Sequence, residues 1–246
     1  LCRDWSSDVC SSDLPIVEKY ACPEYLAALD LMRFPTDRIP QCKEVSAVLK
    51  KHTGWEVAPV PALIPFGQFF QLLADKKFPA ASFIRSREEM DYLQEPDIFH
   101  EIFGHTPLLT DPRFAEFTHA YGKAGVRARK EDHVKLARLY WFTVEFGLIN
   151  TTKGMKTYGA GIVSSFGETP YSIESPKPVR KPFDPVEALR TPYRIDIFQT
   201  TYFTIDSLED MFELAHRDLF DLIAEAEKLG MYQPNFPPAE KKVSWA

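Results

Sequence analysis

His100 and His105 stand five residues apart in the stretch Glu95-Pro-Asp-Ile-Phe-His-Glu-Ile-Phe-Gly-His105, with apolar Ile102 and Phe103 between them. Imidazole is a ligand for borderline metals, and pairs of histidines on one element often share an ion. On an ideal helix a spacing of five sets the two side chains roughly 140° apart. Both reach one ion only where the helix ends or distorts, which Gly104 would permit. The alternative is one buried and one surface histidine with nothing in common. A further chemical group is Glu145, in Leu139-Tyr-Trp-Phe-Thr-Val-Glu-Phe-Gly-Leu-Ile149, with Trp141 four positions before it and Leu148 three after. A carboxylate on such an apolar, aromatic face must be paired, because an unpaired buried charge is strongly unfavourable. Arg138 is one candidate partner and a metal ion is the other. Two histidines and one carboxylate form the facial set, with positions left open, of non-haem Fe(II) centres that activate dioxygen.

Several elements must bring these residues together. The pattern predicts helix from Val17 to Met32, with Pro23 in the first turn of its second part. A helix over Lys43–His52 ends at Thr53-Gly54. Val60-Pro-Ala-Leu-Ile-Pro65 is extended, since its prolines leave little else. A short helix follows over Phe69–Ala74. Helices over Asp97–His105 and Asp111–Lys123 are separated by Thr106-Pro107 and the Thr110-Asp111-Pro112 cap. Glu131–Gly147 reads as one amphipathic helix with Val134, Ala137, Trp141, Val144 and Leu148 on one face. Lys153-Gly154, Gly159 and Gly161 punctuate a short hairpin. Pro170–Pro192 reads as a loop with one short helix near Glu187, and Ile195–Ile205 as a strand. Asp206 or Ser207 caps a long last helix that runs to Lys228 and stops at Gly230. The fold class is mainly α with a few short β-strands (α+β), in one domain with no internal repeat.

Composition narrows the function classes. The 246 residues are 45% hydrophobic and 26% charged, as in ordinary globular domains and unlike collagen-like or disordered chains. A net charge of −6 gives no general attraction to nucleic acid or to an anionic membrane. No apolar run approaches the roughly 18 residues of a membrane span. Nineteen Phe and ten Tyr can build an aromatic core or pocket. Residues 1–14, LCRDWSSDVCSSDL, repeat Ser-Ser-Asp, lack a signal-peptide apolar region and read as a foreign leader outside the fold. The domain is then 15–246, truncated at its N-terminus. Its remaining cysteines, Cys22 and Cys42, form no CxxC pattern, which fits reduced thiols and a cytoplasmic location.

Five blocks, in order, resemble the catalytic domain of the pterin-dependent aromatic amino acid hydroxylases, and within it the bacterial phenylalanine hydroxylases. They are Val60–Pro65, Phe83-Ile-Arg85, Tyr92–His105, Tyr140-Trp-Phe-Thr-Val-Glu-Phe-Gly147 and Tyr158-Gly-Ala-Gly-Ile-Val-Ser-Ser-Phe-Gly-Glu168. The resemblance implies that fold, Fe(II) held by His100, His105 and Glu145, and a tetrahydropterin (tetrahydrobiopterin or a relative) as reductant. It implies that Glu101 and Tyr140 act between pterin and iron, that Phe69 stacks on the pterin, and that Leu63 and Ile64 contact the same bicycle. It implies that Arg85 clamps the α-carboxylate of an amino acid, helped by Ser164, and that Pro96, Trp141 and Phe146 wall the ring pocket. Taken without the resemblance, each of these has a plainer reading: Glu101 as a solvated carboxylate, Phe69 and Tyr140 as core, Arg85 as a surface ion pair with Glu88 or Glu89.

The implied reaction is hydroxylation of L-phenylalanine to L-tyrosine with dioxygen, by a cytoplasmic monomer without nucleic-acid or membrane partners. Ala62 stands where many members of the family have Gly, and Leu93-Gln94 replace the Thr-Pro of animal members. The other readings are the same chemistry on tryptophan or tyrosine, a zinc hydrolase built on the same two histidines and glutamate, and an inactive fragment.

Overall fold

A computed structural model of the chain describes residues 10–35, 38–85 and 95–238. Of the leader expected over 1–14, residues 1–9 lie outside these and 10–14 run into the first helix. Leu93, Gln94, Glu88 and Glu89 also lie outside them.

Helix α1 (Cys10–Tyr20) and α2 (Pro23–Met32) divide at Ala21-Cys22, with Pro23 at the start of α2, where its missing N–H costs nothing. Helix α3 (Cys42–His52) begins with a reciprocal Gln41–Glu44 capping box. Strand β1 (Glu56–Val60), helix α4 (Phe66–Ala74) and strand β2 (Lys77–Ala81) form a parallel crossover unit. A π-helix, His100–His105, and a 3₁₀ turn, Leu108–Thr110, lead into α5 (Pro112–Arg127), whose cap Asp111 accepts from the Arg113 N–H. Helix α6 (Lys130–Tyr140) passes directly into a second π-helix, Trp141–Glu145. Then come β3 (Gly147–Thr151), β4 (Gly154–Thr157), α7 (Ala160–Val163), α8 (Glu168–Glu174), β5 (Val179–Pro182), α9 (Pro185–Arg190) and β6 (Thr201–Ile205). Helices α10 (Glu209–Ala215) and α11 (Leu219–Leu229) follow. The second sheet has the order β4-β3-β6-β5, antiparallel across the β3–β4 hairpin and parallel elsewhere.

Helices dominate, as expected, and the core is aromatic: Tyr25, Trp55, Phe70, Phe99, Phe117, Tyr121 and Phe142 are fully buried. Helix α4 sinks into α5 because α5 offers glycines there. A Cβ on Gly125 would lie 2.0 Å from Cδ1 of Phe70, and one on Gly122 would lie 2.5 Å from the Ala74 nitrogen. That close approach fixes Phe69 and Phe70 beside the site.

Four expectations need correction. The helix over Glu131–Gly147 ends its α-geometry at Tyr140, and Gly147 already opens a strand. Its buried face carries Leu136, Leu139 and Tyr140, while Val134 is exposed. The loop over Pro170–Pro192 contains most of α8 and the strand β5, because Pro170 sits in the first turn of α8, where proline is tolerated. The strand over Ile195–Ile205 is confined to Thr201–Ile205, and residues 195–200 are irregular. The long last helix is two, since Asp218 takes the Phe220 N–H and starts α11; Gly230 does end it, with φ +75°.

Candidate active site

The two π-helices deliver three ligand atoms to one point. In a π-turn the bonds run i→i+5, so the fifth residue returns over the first. His100 and His105 have that spacing, and their Nε2 atoms lie 3.0 Å apart with the rings at 89°. In the second π-helix the Phe146 N–H donates to the Trp141 carbonyl at 2.9 Å, and the widened turn aims Glu145 at the same point. Glu145 Oε1 is 3.1 Å from His105 Nε2, and Oε2 is 3.5 Å from His100 Nε2. Donors at about 2.1 Å from a common ion lie about 3.0 Å apart at right angles and about 3.4 Å apart in a tetrahedron. The observed spacings therefore fit one ion. The expected distortion is present, but Gly104 serves a different purpose. A Cβ there would meet the Ala160 carbonyl at 2.9 Å, so the glycine admits α7. Arg138 turns away from Glu145 to donate to the Leu189 carbonyl at 2.9 Å.

Hydrogen bonds prepare these donors for a metal. Ser164 Oγ donates to the Ala160 carbonyl at 2.7 Å, so at 2.8 Å from His100 Nδ1 it must accept. The His100 proton is therefore on Nδ1, and the Nε2 lone pair faces the centre. Burial lowers the His100 pKa to about 4, against the pull of Glu145, which keeps the ring neutral as a ligand must be. Burial works to raise the Glu145 carboxyl, yet the two imidazoles outweigh it and hold it below its ordinary value. The residue between them in sequence behaves oppositely. Glu101 is buried beside the carboxylates of Glu145 and Asp97, and burial first, then those charges, push its pKa well up.

Every residue expected from the sequence lines one cavity of about 460 Å³, within the range of small-molecule sites. On one flank Phe69 meets Tyr140 edge-on at 5.6 Å, and Tyr140 lies 6.2 Å from the His105 ring. The Tyr140 hydroxyl is buried without a partner, while Leu63 and Ile64 form the rim, Leu63 being 67% exposed. Ala62 lies in the same wall. On the other flank Trp141 packs against Phe146 at 4.5 Å and Tyr193 at 4.6 Å, with Pro96 in the same wall.

Arg85 is no surface residue. Its side chain is 6% exposed and grips Asp97, 0% exposed, through Nε at 2.9 Å and Nη2 at 2.8 Å. Nη1 reaches the Ser164 carbonyl at 3.2 Å. A guanidinium has five N–H groups, so one remains on each terminal nitrogen, and Arg85 lines the cavity. Burial works to raise the Asp97 carboxyl, but Arg85 and the His100 N–H together hold it below its ordinary value.

Asp97, Tyr193, Gln199 and Glu168 are site residues that the sequence reading passed over. Asp97 did carry a signal, since an aspartate three residues before His100 has capping spacing and Oδ1 takes the His100 N–H at 2.9 Å. The others sit in or against the irregular segment 192–200 and carried none.

Known proteins resemble this chain in sequence and fold. The family model of the biopterin-dependent aromatic amino acid hydroxylases matches residues 5–223. A phenylalanine-4-hydroxylase from Pseudomonas aeruginosa is 56% identical over 227 residues, covering 92% of this chain and 86% of that protein. The apo structure of the cold-active phenylalanine hydroxylase from Colwellia psychrerythraea superposes with a TM-score of 0.92 at 55% identity, over 95% of this chain and 90% of the other. The phenylalanine hydroxylase of Chromobacterium violaceum, solved with oxidised Fe(III) bound, gives 0.88 at 42% identity, over 93% and 83%.

Proposed function

This chain belongs to the biopterin-dependent aromatic amino acid hydroxylases, and from that premise we propose that it hydroxylates L-phenylalanine to L-tyrosine. The carrying observation is a two-histidine, one-glutamate centre set between a buried arginine and an aromatic slot in one cavity. His100, His105 and Glu145 would hold the iron. Iron and a reduced biopterin, the family's cofactors, supply the dioxygen-activating chemistry when bound.

The chain's own residues do the rest. Arg85, locked by Asp97, presents two N–H groups to the α-carboxylate, a paired charge-assisted contact that fixes orientation as well as charge. The Ser164 proton is committed to Ala160, so what Ser164 offers the substrate is an acceptor lone pair for the α-ammonium group. Pro96, Trp141 and Phe146 hold the ring over the metal face and exclude water. Phe69, with Leu63 and Ile64, takes the flat pterin on the opposite flank. Glu101 and Tyr140 line the same cavity, Tyr140 between Phe69 and His105, and would contact the pterin. Holding both reactants against one centre is worth several powers of ten in rate.

We infer a cytoplasmic monomer; the free thiols of Cys22 and Cys42 support the reducing compartment, and among the described residues no helix is long and apolar enough to cross a membrane. The deciding experiment loads the chain anaerobically with Fe(II), then adds tetrahydropterin, dioxygen and each aromatic amino acid in turn. Tyrosine from phenylalanine is the expected main product. Faster hydroxylation of tryptophan or tyrosine would overturn the assignment.

A further inference from the structure

Trp141 is held by more than stacking. Phe146 and Tyr193 pack against the indole with centroids at 4.5 and 4.6 Å, contacts that carry little directionality. A hydrogen bond supplies the direction: Nε1–H donates to Gln199 Oε1 at 2.9 Å. Gln199 is 3% exposed, and every polar group it has except its backbone carbonyl is committed. Its Nε2 donates to the carbonyls of Arg194 at 2.9 Å and Ile197 at 3.2 Å, and its backbone N–H donates to Glu168 Oε1 at 2.8 Å. Glu168, itself 3% exposed, takes the Tyr202 hydroxyl on the same oxygen at 2.6 Å. Tyr202 lies in β6, the neighbour of β3, so the chain of bonds runs from the sheet through Glu168 and Gln199 to the indole.

The same glutamine knots the irregular segment that carries Tyr193, Ile195 and Ile197 into the cavity wall. Without regular structure, residues 192–200 owe their shape to such bonds. We propose that Gln199, anchored by Glu168, is a positioning residue that sets the width of the ring pocket by fixing the Trp141 indole and the 192–200 wall together. The inference rests on the reading of Trp141 as a wall of the ring pocket. Gln199 itself touches no reacting atom. Its effect is on how the ring is held, hence on KM and on the preference for phenylalanine over the larger tryptophan.

The test measures kcat and KM for phenylalanine and for tryptophan on iron-loaded wild type, Gln199→Leu, Trp141→Phe and the double variant, with iron content checked in each. Losing one buried hydrogen bond corresponds to about a five- to tenfold change. Gln199→Leu is expected to raise KM for phenylalanine by about that factor, with kcat within about twofold, and to narrow the phenylalanine preference. In the Trp141→Phe background, which has no indole N–H, the same change should add a clearly smaller factor, that of the lost loop bonds alone. An unchanged KM and preference in Gln199→Leu, or an equal factor in both backgrounds, overturns the proposal. An unaltered KM for both amino acids in Trp141→Phe alone would instead overturn the pocket reading beneath it. Should Gln199→Leu fail to fold, Glu168→Leu removes the anchor from outside the cavity loop and Glu168→Gln keeps an acceptor oxygen. The first should show the raised KM and the second should recover it, whereas equal defects in the two overturn the proposal.

Discussion

Replacing Asp97 by alanine is the sharpest perturbation of the cavity that leaves the metal ligands in place. Asp97 accepts four N–H groups: Arg85 N, Nε and Nη2, and His100 N, all between 2.8 and 2.9 Å. The substitution leaves a guanidinium that is 6% exposed without its counter-charge, and two backbone donors without an acceptor. Breaking a buried pair from one side costs about 3–5 kcal/mol. Water entering from the cavity can solvate part of the guanidinium, so the lower half of that range is expected. With a urea m-value of about 2–3 kcal/mol/M, the unfolding midpoint of the metal-free chain should fall by about 1–2 M. Asp97→Asn keeps the volume but turns an NH₂ toward Arg85 donors, so it should recover less than half of the loss. Phenylalanine affinity should fall with stability in both variants, because Arg85 loses the partner that aims it, while pterin affinity should hold. A midpoint shift below about 0.3 M with phenylalanine binding intact would refute the claim that this pair builds the carboxylate clamp.

Arg85→Lys keeps the charge but loses the fork, and it should weaken phenylalanine binding by tenfold or more while leaving pterin binding nearly unchanged; calorimetric titration of each ligand decides, and equal losses contradict the clamp. Glu168 provides a pH test. Burial, only partly offset by the bonds from Gln199 and Tyr202, raises its pKa from 4.5 to about 7. The folded chain therefore binds this proton more tightly than the unfolded one, and the contribution is fully present below pH 4.5 and is lost as pH rises through about 7. The stability of wild type relative to Glu168→Gln should fall by roughly 3 kcal/mol across that window and level off above it. Urea midpoints of the two metal-free proteins from about pH 4.5 to 8 measure this, and a pH-independent difference contradicts it.

The candidate metal set was partly legible in the sequence: Glu145 on an apolar face needed a partner, either Arg138 or an ion, and the family resemblance implied the three residues together. The π-geometry that unites them was not legible. It changes only which carbonyl each N–H selects, and neither stretch signals that in composition. The face of α6 was misjudged separately: Val134 and Ala137 extend the apolar run through Trp141 in sequence, while the buried positions of the helix are Leu136, Leu139 and Tyr140. The division of α10 from α11 was hidden for a related reason, since His216-Arg217-Asp218 contains no glycine or proline and the break rests on one aspartate cap. Segment 192–200 was the least readable. Its shape comes from Gln199 bonding to its own loop and to Glu168, the latter thirty-one residues away, a contact that no local pattern records.

The central claim is that three side chains from two π-helices grip one ion. Iron stoichiometry of purified protein after anaerobic Fe(II) loading and desalting tests it most directly. Wild type should retain one iron per chain, and His100→Ala, His105→Ala and Glu145→Ala should each retain little and turn over no phenylalanine. Full iron occupancy with normal turnover in any of the three would contradict it.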